Sequence, residues 1–348
     1  MKIAQLPTDQ IKLYPALPSK FSIPYISYII TEELVRRGHE VTIFAPSDSR
    51  TSAKIAKGWI PSTHSCFKKY NLGSKERNEI FKRYCLNLVK QSGKFDIIHN
   101  HCMGLFFFDF VKSVSTPIIH TLHDPFVTDL DRERLKKVYF VAISKKQVEN
   151  NKNVNFVGVV HHGIKAEDFP FNHKAKDYLL WFGRIDKIKG PEEAIEVARL
   201  ANKKLVFAGY YFQKDAYVKK IMKKIKENKN IKFVGELSFR KKMEYLKNAS
   251  AFIFPLQWEE PFGLVLIEAM ACGTPVIAFN RGAIPEIVKN GKTGFVVNSV
   301  PQMVEAVKKI PRISRKECRE WVERNFSVEK MVNEYEKVYE KIIKDCKN

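Results

Sequence analysis

Two glutamates flank a loop whose residue types suit a ligand that carries both phosphate and hydroxyl groups. Glu260 precedes a Pro-Phe-Gly turn, and Glu268 lies eight positions further on. The apolar run 251–255 predicts a buried strand before this loop, and the run 264–272 predicts a helix after it. Unpaired N–H groups at a helix start attract anions, and carboxylates accept hydrogen bonds from hydroxyls. Phosphate together with hydroxyls suggests a nucleotide-sugar.

A further apolar run, 276–279, follows the helix, so the segment predicts a strand–loop–helix–strand unit of a parallel sheet. In such a unit the backbone N–H groups of Phe262, Gly263 and Leu264 point out of the helix start. The helix dipole adds to their attraction for a negative or hydroxyl-rich ligand. We therefore expect these three positions to hold the sugar or a phosphate.

The same stretch resembles a known family. Glu260 and Glu268, continued by Ala-Met-Ala-Cys-Gly-Thr-Pro-Val and by a later Gly-Ala-Ile-Pro-Glu at 282–286, resemble the motifs of retaining glycosyltransferases of family 4, which have the GT-B fold. The run Gln-Trp-Glu-Glu-Pro-Phe-Gly at 257–263 is similar to a subgroup that includes antibiotic-pathway glycosyltransferases. A bare pair of glutamates at this spacing is common in helices, but the full run is specific. The alternative is a structural loop without chemistry.

Length and composition fit a two-domain globular protein. The chain has 348 residues, of which 45% are hydrophobic, and no apolar run is long enough to span a bilayer. The N-terminus lacks the pattern of a signal peptide. The six cysteines are scattered without a Cys-x-x-Cys motif, which favours reduced thiols and a cytoplasmic location.

The net charge of +22 is unevenly distributed. Residues 201–250 carry 14 Lys and Arg against 4 Asp and Glu, whereas residues 251–300 carry 3 against 4. A basic surface can bind nucleic acid, anionic lipid or acidic glycans. We favour a solvated lysine-rich surface and expect no nucleic-acid partner. Peripheral contact with an anionic membrane, at its inner surface, stays open.

The first half predicts one doubly wound unit, with a strand at 2–6, a long loop at 7–24, a helix at 26–37 and a strand at 41–45. The family usually has a Gly-Gly pair after its first strand, where the backbone approaches the donor phosphates. The matching segment 19–24 has no glycine. Either Ser19, Lys20 and Ser22 replace that contact, or the phosphates are held mostly by the other domain.

Histidines follow two predicted strands of this half. His99 and His101 invite a metal or nuclease interpretation, but no Cys or carboxylate cluster lies near them in sequence, so we favour a structural or acceptor-pocket role. His123 follows the strand 117–122, at the edge where open α/β sheets bind ligands. The resemblance implies that His123 lies near the transferred sugar; the alternative is a core histidine. Asp129-Leu130-Asp131 spells a metal motif of another glycosyltransferase fold, but we interpret it as coincidence.

The second half repeats the pattern. Arg184 and Lys189 lie between a predicted strand at 178–182 and a helix at 191–201, where they could clamp a diphosphate. The resemblance implies that role; the alternative is two solvated surface charges. It also implies that Leu237, after the strand 231–234, touches the nucleotide base, and that Glu268 binds the ribose hydroxyls.

We therefore expect an α/β protein of GT-B fold, with two Rossmann-like domains facing a central cleft. The first domain is 1–165 together with a C-terminal helix, 327–348, that packs back on it; the donor-binding domain is 166–326. Within that helix, Tyr335 and Tyr339 are expected to serve packing.

The expected activity is that of a retaining hexosyltransferase that moves a sugar from a nucleotide-diphosphate sugar to an unidentified acceptor. It needs neither metal nor cofactor. The expected catalytic residues are Glu260, His123, Arg184 and Lys189, of which all but His123 also bind the donor.

Two other classes of protein stay open. One is a membrane- or glycan-binding GT-B protein with a decayed active site, which the missing glycines and the basic charge suggest. The other is a related GT-B phosphorylase or epimerase.

Overall fold

The chain forms two compact units. Unit 1 comprises Met1–Gly163 with Val328–Asn348, and unit 2 comprises Ile164–Ser327. These limits differ by one or two residues from the domain limits expected from the sequence. The computed structural model describes residues 1–8, 11–15, 22–57, 61–62, 74–102, 109–125, 138–212 and 215–347. Two features singled out above, Ser19-Lys20 and the Asp129–Asp131 motif, lie outside these residues.

Unit 1 is built on a parallel sheet of seven strands in the order β3-β2-β1-β4-β5-β6-β7. The strands are β1 (Lys2–Leu6), β2 (Glu40–Ile43), β3 (Lys54–Ile55), β4 (Ile97–Asn100), β5 (Ile118–Thr121), β6 (Tyr139–Ala142) and β7 (Phe156–Val159). The helices described in this unit are α1 (Ser22–Arg36), α2 (Ser74–Gln91), α3 (Lys145–Asn150) and α11 (Val328–Lys347). All residues of β4 and β5 are buried, as expected of central strands covered on both faces.

Helix α1 corrects one expectation about the first half. The segment 7–24 was expected to be a loop throughout, but α1 begins at Ser22 and includes Pro24 in its first turn. Proline is tolerated there because the N–H that it lacks has no partner within the first turn of a helix. The basic segment 51–94 has a helical sequence pattern, but it also contains the short strand β3.

The C-terminal helix α11 belongs to unit 1. Arg37, just after α1, donates hydrogen bonds to Glu336 at 2.6 Å and to the carbonyl of Glu329 at 3.0 Å. Tyr335 and Tyr339 are fully buried, and their hydroxyls lie 2.9 Å from Thr121 Oγ1 and 2.6 Å from His99 Nδ1. The two tyrosines thus pack the helix against the sheet and also hydrogen-bond polar groups on its strands.

Unit 2 contains a six-stranded parallel sheet in the order β10-β9-β8-β11-β12-β13. The strands are β8 (Leu179–Arg184), β9 (Leu205–Tyr210), β10 (Ile231–Gly235), β11 (Ala251–Phe254), β12 (Val276–Phe279) and β13 (Gly294–Val297). The helices are α4 (Pro191–Leu200), α5 (Ala216–Lys226), α6 (Phe239–Asn248), α7 (Leu264–Ala271), α8 (Ile284–Ile287), α9 (Val300–Lys309) and α10 (Arg315–Asn325). Both sheets confirm the expected doubly wound α/β class.

The strand order of unit 2 fixes where a ligand can bind. The chain runs outward from β8 to β10 and then returns to the other side of β8 with β11. In open parallel sheets, ligands bind beyond the carboxyl ends of the strands at this reversal. Arg184 ends β8, and the loops that follow β8 and β11, which carry Lys189 and Glu260, meet there.

Candidate active site

The turn after β8 is organised by one aspartate. Asp186 accepts hydrogen bonds from Arg184 Nη2 at 2.8 Å and Nε at 3.1 Å. Its other carboxylate oxygen accepts the backbone N–H of Ile188 at 3.2 Å, which caps the short 3-10 turn Lys187–Lys189. Asp186 therefore orients the guanidinium of Arg184 and fixes the turn that carries Lys189.

This turn is docked tightly on the loop that follows β11. Gly190 has a φ of 64°, and a Cβ at this position would lie 1.9 Å from the carbonyl oxygen of Pro255. The N–H of Gln257 donates to the carbonyl of Ile188 at 2.9 Å. Only glycine allows this approach of two backbones, so the sequence Lys-Gly holds the Lys189 turn against the Glu260 loop.

Lys189, Trp258 and Glu260 form one contiguous group. Lys189 Nζ lies 3.9 Å from Glu260 Oε2 and 4.9 Å from the centre of the Trp258 ring. The indole N–H of Trp258 donates to the same carboxylate oxygen at 3.0 Å. The ammonium is thus held loosely, at more than hydrogen-bond length from its carboxylate, by a charge and by an aromatic face.

Burial disturbs both charges of this group. It lowers the pKa of Lys189, and the attraction of Glu260 only partly offsets the effect. Burial likewise raises the pKa of Glu260, against the opposing effects of Lys189, the Trp258 N–H and the backbone N–H of Phe262. Each charge is therefore incompletely compensated, and an anion beside Lys189 would stabilise its charged form.

The loop between β12 and α8 supports Glu260 from behind. The N–H of Ala283 donates to the carbonyl of Glu260 at 2.8 Å, and the N–H of Gly282 donates to Glu259 Oε2 at 2.8 Å. Phe262 is buried and packs edge-on against Phe326 at 6.0 Å. The backbone of the loop is thereby held from both sides.

Glu268 lies deeper, on the second turn of α7. It is 1% exposed, and its Oε2 accepts a hydrogen bond from Lys242 Nζ at 2.6 Å. Leu237 is half-buried in the loop between β10 and α6, whose N-cap is Ser238. Gly263 and Leu264 lie at the start of α7, as expected.

Two models of protein families match the chain. The model "Glycosyltransferase Family 4" matches residues 27–188, and the model "Glycosyl transferases group 1" matches residues 163–327. The two models together cover residues 27–327, and the chain belongs to the glycosyltransferases that they describe. This confirms the family resemblance and the GT-B fold expected from the sequence.

Relatives of this glycosyltransferase include an uncharacterized 41.2 kDa protein in the cps region of Klebsiella pneumoniae. It is 27% identical over 295 residues, which are 71% of this chain and 79% of that protein. Four further curated relatives are matched over 26% to 49% of their own length.

Solved structures share the fold across nearly the whole chain. A glycosyltransferase involved in avilamycin A biosynthesis has a TM-score of 0.73 and 19% identity, with 99% of this chain and 98% of that chain covered. The HepE protein of Anabaena, solved with UDP and glucose, has a TM-score of 0.67 and 16% identity, with 98% and 100% covered.

In unit 1 of the glycosyltransferase, His123 belongs to a row of histidines at the carboxyl ends of the strands. His123 Nε2 lies 3.2 Å from His101 Nδ1, and its ring stacks on that of His162 at 5.3 Å. His101 in turn lies 3.2 Å from Gln5 Oε1. His101 thus contacts His123, and the ring of His99 lies 3.9 Å from that of His101. The structural or acceptor-pocket role expected of His99 and His101 stays a prediction. The predicted contact of His123 with a sugar stays a prediction.

The described residues contain no group of three or more His, Cys, Asp or Glu side chains that could hold a metal ion. Those residues also include no helix long and apolar enough to cross a membrane.

Sequence reasoning missed three residues of the site. Asp186, Trp258 and Lys242 each contact a predicted residue through a side chain. Asp186 and Trp258 lie within two positions of their partners, so their proximity could have been noticed. The partner of Lys242 lies 26 positions away on another helix, and no local pattern indicates it.

The buried histidines of unit 1 should make the protein sensitive to acid. Burial lowers the pKa of both His120 and His162 to about 3, far below the value of about 6.5 in an unfolded chain. Below pH 6.5 the unfolded state binds protons that the folded state does not, so stability falls as the pH falls.

We expect each such histidine to cost about 1.4 kcal/mol of unfolding free energy between pH 7.5 and pH 5.5. Urea denaturation at the two pH values measures this cost. In His120→Gln the difference in unfolding free energy between the two pH values should be smaller by the contribution of one histidine. A free energy of unfolding that is constant or rises on acidification would contradict the assignment.

Proposed function

We propose that this glycosyltransferase is a retaining, metal-independent enzyme that transfers a sugar from a nucleotide-diphosphate sugar to an acceptor. The observation that carries the proposal is the group formed by Arg184, Lys189 and Glu260 at the strand reversal of unit 2. Two cations there lie beside a carboxylate, in a position where parallel sheets bind ligands.

The two cations suit the largest electrostatic demand of the reaction. When the bond between the anomeric carbon and the diphosphate breaks, negative charge grows on the leaving phosphate oxygen. Arg184 offers a planar guanidinium already oriented by Asp186, and Lys189 offers a point charge that burial leaves incompletely compensated. Preorganised charges of this kind stabilise the transition state without reorganisation. They supply the positive charge for which other transferases use a metal ion.

The remaining donor contacts follow from the same arrangement. Glu260 would accept a hydrogen bond from a sugar hydroxyl, since its carboxylate lies beside the phosphate-binding cations. The backbone N–H groups of Gly263 and Leu264 would hold the sugar or a phosphate at the start of α7. The N–H of Phe262 donates to Glu260 in the structure and would join them on exchanging that partner for the ligand. Glu268 would accept hydrogen bonds from the ribose, and Leu237 would contact the base.

Retention of anomeric configuration is the outcome that the family resemblance implies. The acceptor hydroxyl attacks on the face from which the diphosphate leaves, and the leaving phosphate oxygen takes the hydroxyl proton. No covalent nucleophile is assigned, because Glu260 is used for binding. The family resemblance implies that His123 contacts the transferred sugar.

Two further facts support a nucleotide-sugar donor. The Anabaena relative was solved with UDP and glucose, which are the parts of such a donor. In addition, Arg184 and Lys189 lie in residues 151–200, which carry 8 Lys and Arg against 7 Asp and Glu, so these cations are not part of the basic surplus of residues 201–250.

A thermal-shift panel of UDP, GDP, ADP, TDP and their common sugars, in EDTA, tests the proposal. A ligand that binds only the folded state raises the apparent melting temperature. We expect one base to give a clear shift without metal. The absence of a shift with every compound would contradict the proposal and favour a GT-B protein with a decayed site. A shift that appears only after Mg²⁺ is added would contradict metal independence alone.

A further inference from the structure

Lys242 and Glu268 form a buried ion pair between two helices of unit 2. Lys242 Nζ lies 2.6 Å from Glu268 Oε2, and the side chains are 13% and 1% exposed. The ammonium also lies 5.2 Å from the centre of the Phe182 ring and 5.8 Å from that of Phe239. Nothing in the family resemblance assigns a role to this lysine.

The pair lies just beneath the proposed donor site. Helix α6 begins after the loop that contains Leu237, and Lys242 is its fourth residue. Helix α7 begins after the Glu260 loop, and Glu268 is its fifth residue. Both helices start at the carboxyl edge of the sheet, so the pair is about one helical turn, or roughly 5 Å, below that edge.

The position of Lys242 is unfavourable for a cation on local grounds. It lies at the end of the first turn of α6, where the helix dipole opposes positive charge. It is also largely removed from water, which further penalises the charge. Glu268, whose Oε2 lies 2.6 Å from the ammonium, offsets both effects.

We propose that Lys242 is a positioning residue that fixes the carboxylate of Glu268 and directs its other oxygen to the ribose of the donor nucleotide. This inference rests on the proposed function. A carboxylate has acceptor capacity on both oxygens, and Lys242 occupies Oε2, which leaves Oε1 for a ribose hydroxyl. Without the lysine, the Glu268 carboxylate loses the contact that fixes its orientation, so Oε1 is no longer held toward the ribose.

If the pair only stabilised the fold, the loss of Lys242 would have a different effect on nucleotide binding. If Lys242 only joined α6 to α7, its loss would lower the stability of the protein and would weaken the binding of all nucleotides alike. If Lys242 positions Glu268, its loss weakens the binding of only those nucleotides that carry the ribose hydroxyl contacted by Glu268. The comparison of ribose with deoxyribose therefore separates the two roles.

The experiment is calorimetric titration of the full chain with UDP, GDP and ADP and with their 2′-deoxy and 3′-deoxy counterparts. A hydrogen bond from a hydroxyl to a carboxylate is worth about 10- to 100-fold in affinity. We expect the wild type to prefer the ribonucleotide over at least one deoxy form by this factor. In Lys242→Met the preference should fall below about threefold, with the affinity for that deoxy form unchanged.

Three further variants complete the design. Lys242→Arg should restore most of the preference, because it keeps the charge. Lys241→Met removes an exposed lysine from the adjacent position of the same helix and should leave the preference intact. Lys242→Gln keeps a hydrogen-bond donor without charge, and it gives the same comparison if the methionine variant does not fold.

The outcomes distinguish this inference from the proposed function. A folded Lys242→Met variant with the wild-type preference would overturn the inference, and so would a wild type that binds ribo- and deoxynucleotides equally. Both results leave nucleotide binding, and hence the proposed function, in place. A wild type that binds none of these nucleotides would overturn the inference, and one that also fails to bind TDP would overturn both.

Discussion

Lys189→Ala should weaken the binding of nucleoside diphosphates by about 10- to 100-fold while leaving the protein folded. The substitution removes an ammonium that lies 3.9 Å from Glu260 and 4.9 Å from the Trp258 ring, where its charge is incompletely compensated. The side chain is only 26% exposed, so the variant also loses some packing, and its circular dichroism spectrum is compared with that of the wild type before titration. Calorimetric titration with the nucleotide selected by thermal shift measures the loss.

A matched control for this variant is two positions away. Lys187 belongs to the same turn and is exposed, with its ammonium 5.7 Å from the centre of the Tyr217 ring. Lys187→Ala removes the same charge from the protein as a whole but not from the Glu260 group, so its affinity should stay within about twofold of the wild type. Wild-type affinity in a folded Lys189→Ala variant would remove Lys189 from the diphosphate site.

Gly282→Ala should destabilise the protein by about 3 kcal/mol or more and should also impair nucleotide binding. Gly282 has a φ of 55°, and a Cβ there would lie 2.1 Å from the carbonyl oxygen of Glu260 and 2.5 Å from its backbone nitrogen. The neighbouring atoms are backbone and cannot rotate away. The Glu260 loop must therefore move, and the carboxylate moves with it.

Gly291 provides the comparison that isolates this clash. Its φ is 75°, but a Cβ there would meet no atom within 4 Å. Gly291→Ala therefore carries only the left-handed backbone strain, about 1–2 kcal/mol, and should bind nucleotide normally. Urea denaturation of both variants measures the difference. Equal costs for the two substitutions would show that Gly282 does not constrain Glu260.

Much of the fold could be predicted because parallel strands leave a strong local signal. Strands such as Ala251–Phe254 and Val276–Phe279 are buried on both faces, so they are continuous apolar runs bounded by loop residues. The start of α1 was harder to predict. Pro24 was interpreted as part of a loop, although proline is compatible with the first turn of a helix.

The site could be predicted only in part, for a physical reason. Arg184, Lys189 and Glu260 could be brought together because all three follow strands whose carboxyl ends meet at one edge of the sheet. The contact of Lys242 with Glu268 depends instead on how two helices pack on that sheet. The histidine row of unit 1 likewise joins strand ends that are far apart in sequence, such as His101 and His123.

The central claim is that a nucleotide-diphosphate donor binds where the loops after β8 and β11 meet. Hydrogen–deuterium exchange with and without the nucleoside diphosphate selected by thermal shift tests it most directly. The account predicts slower exchange in residues 184–190 and 260–266 on binding, and no such protection in Lys189→Ala at the same nucleotide concentration. Binding that leaves both segments unprotected, or that protects only residues elsewhere in the chain, would contradict it.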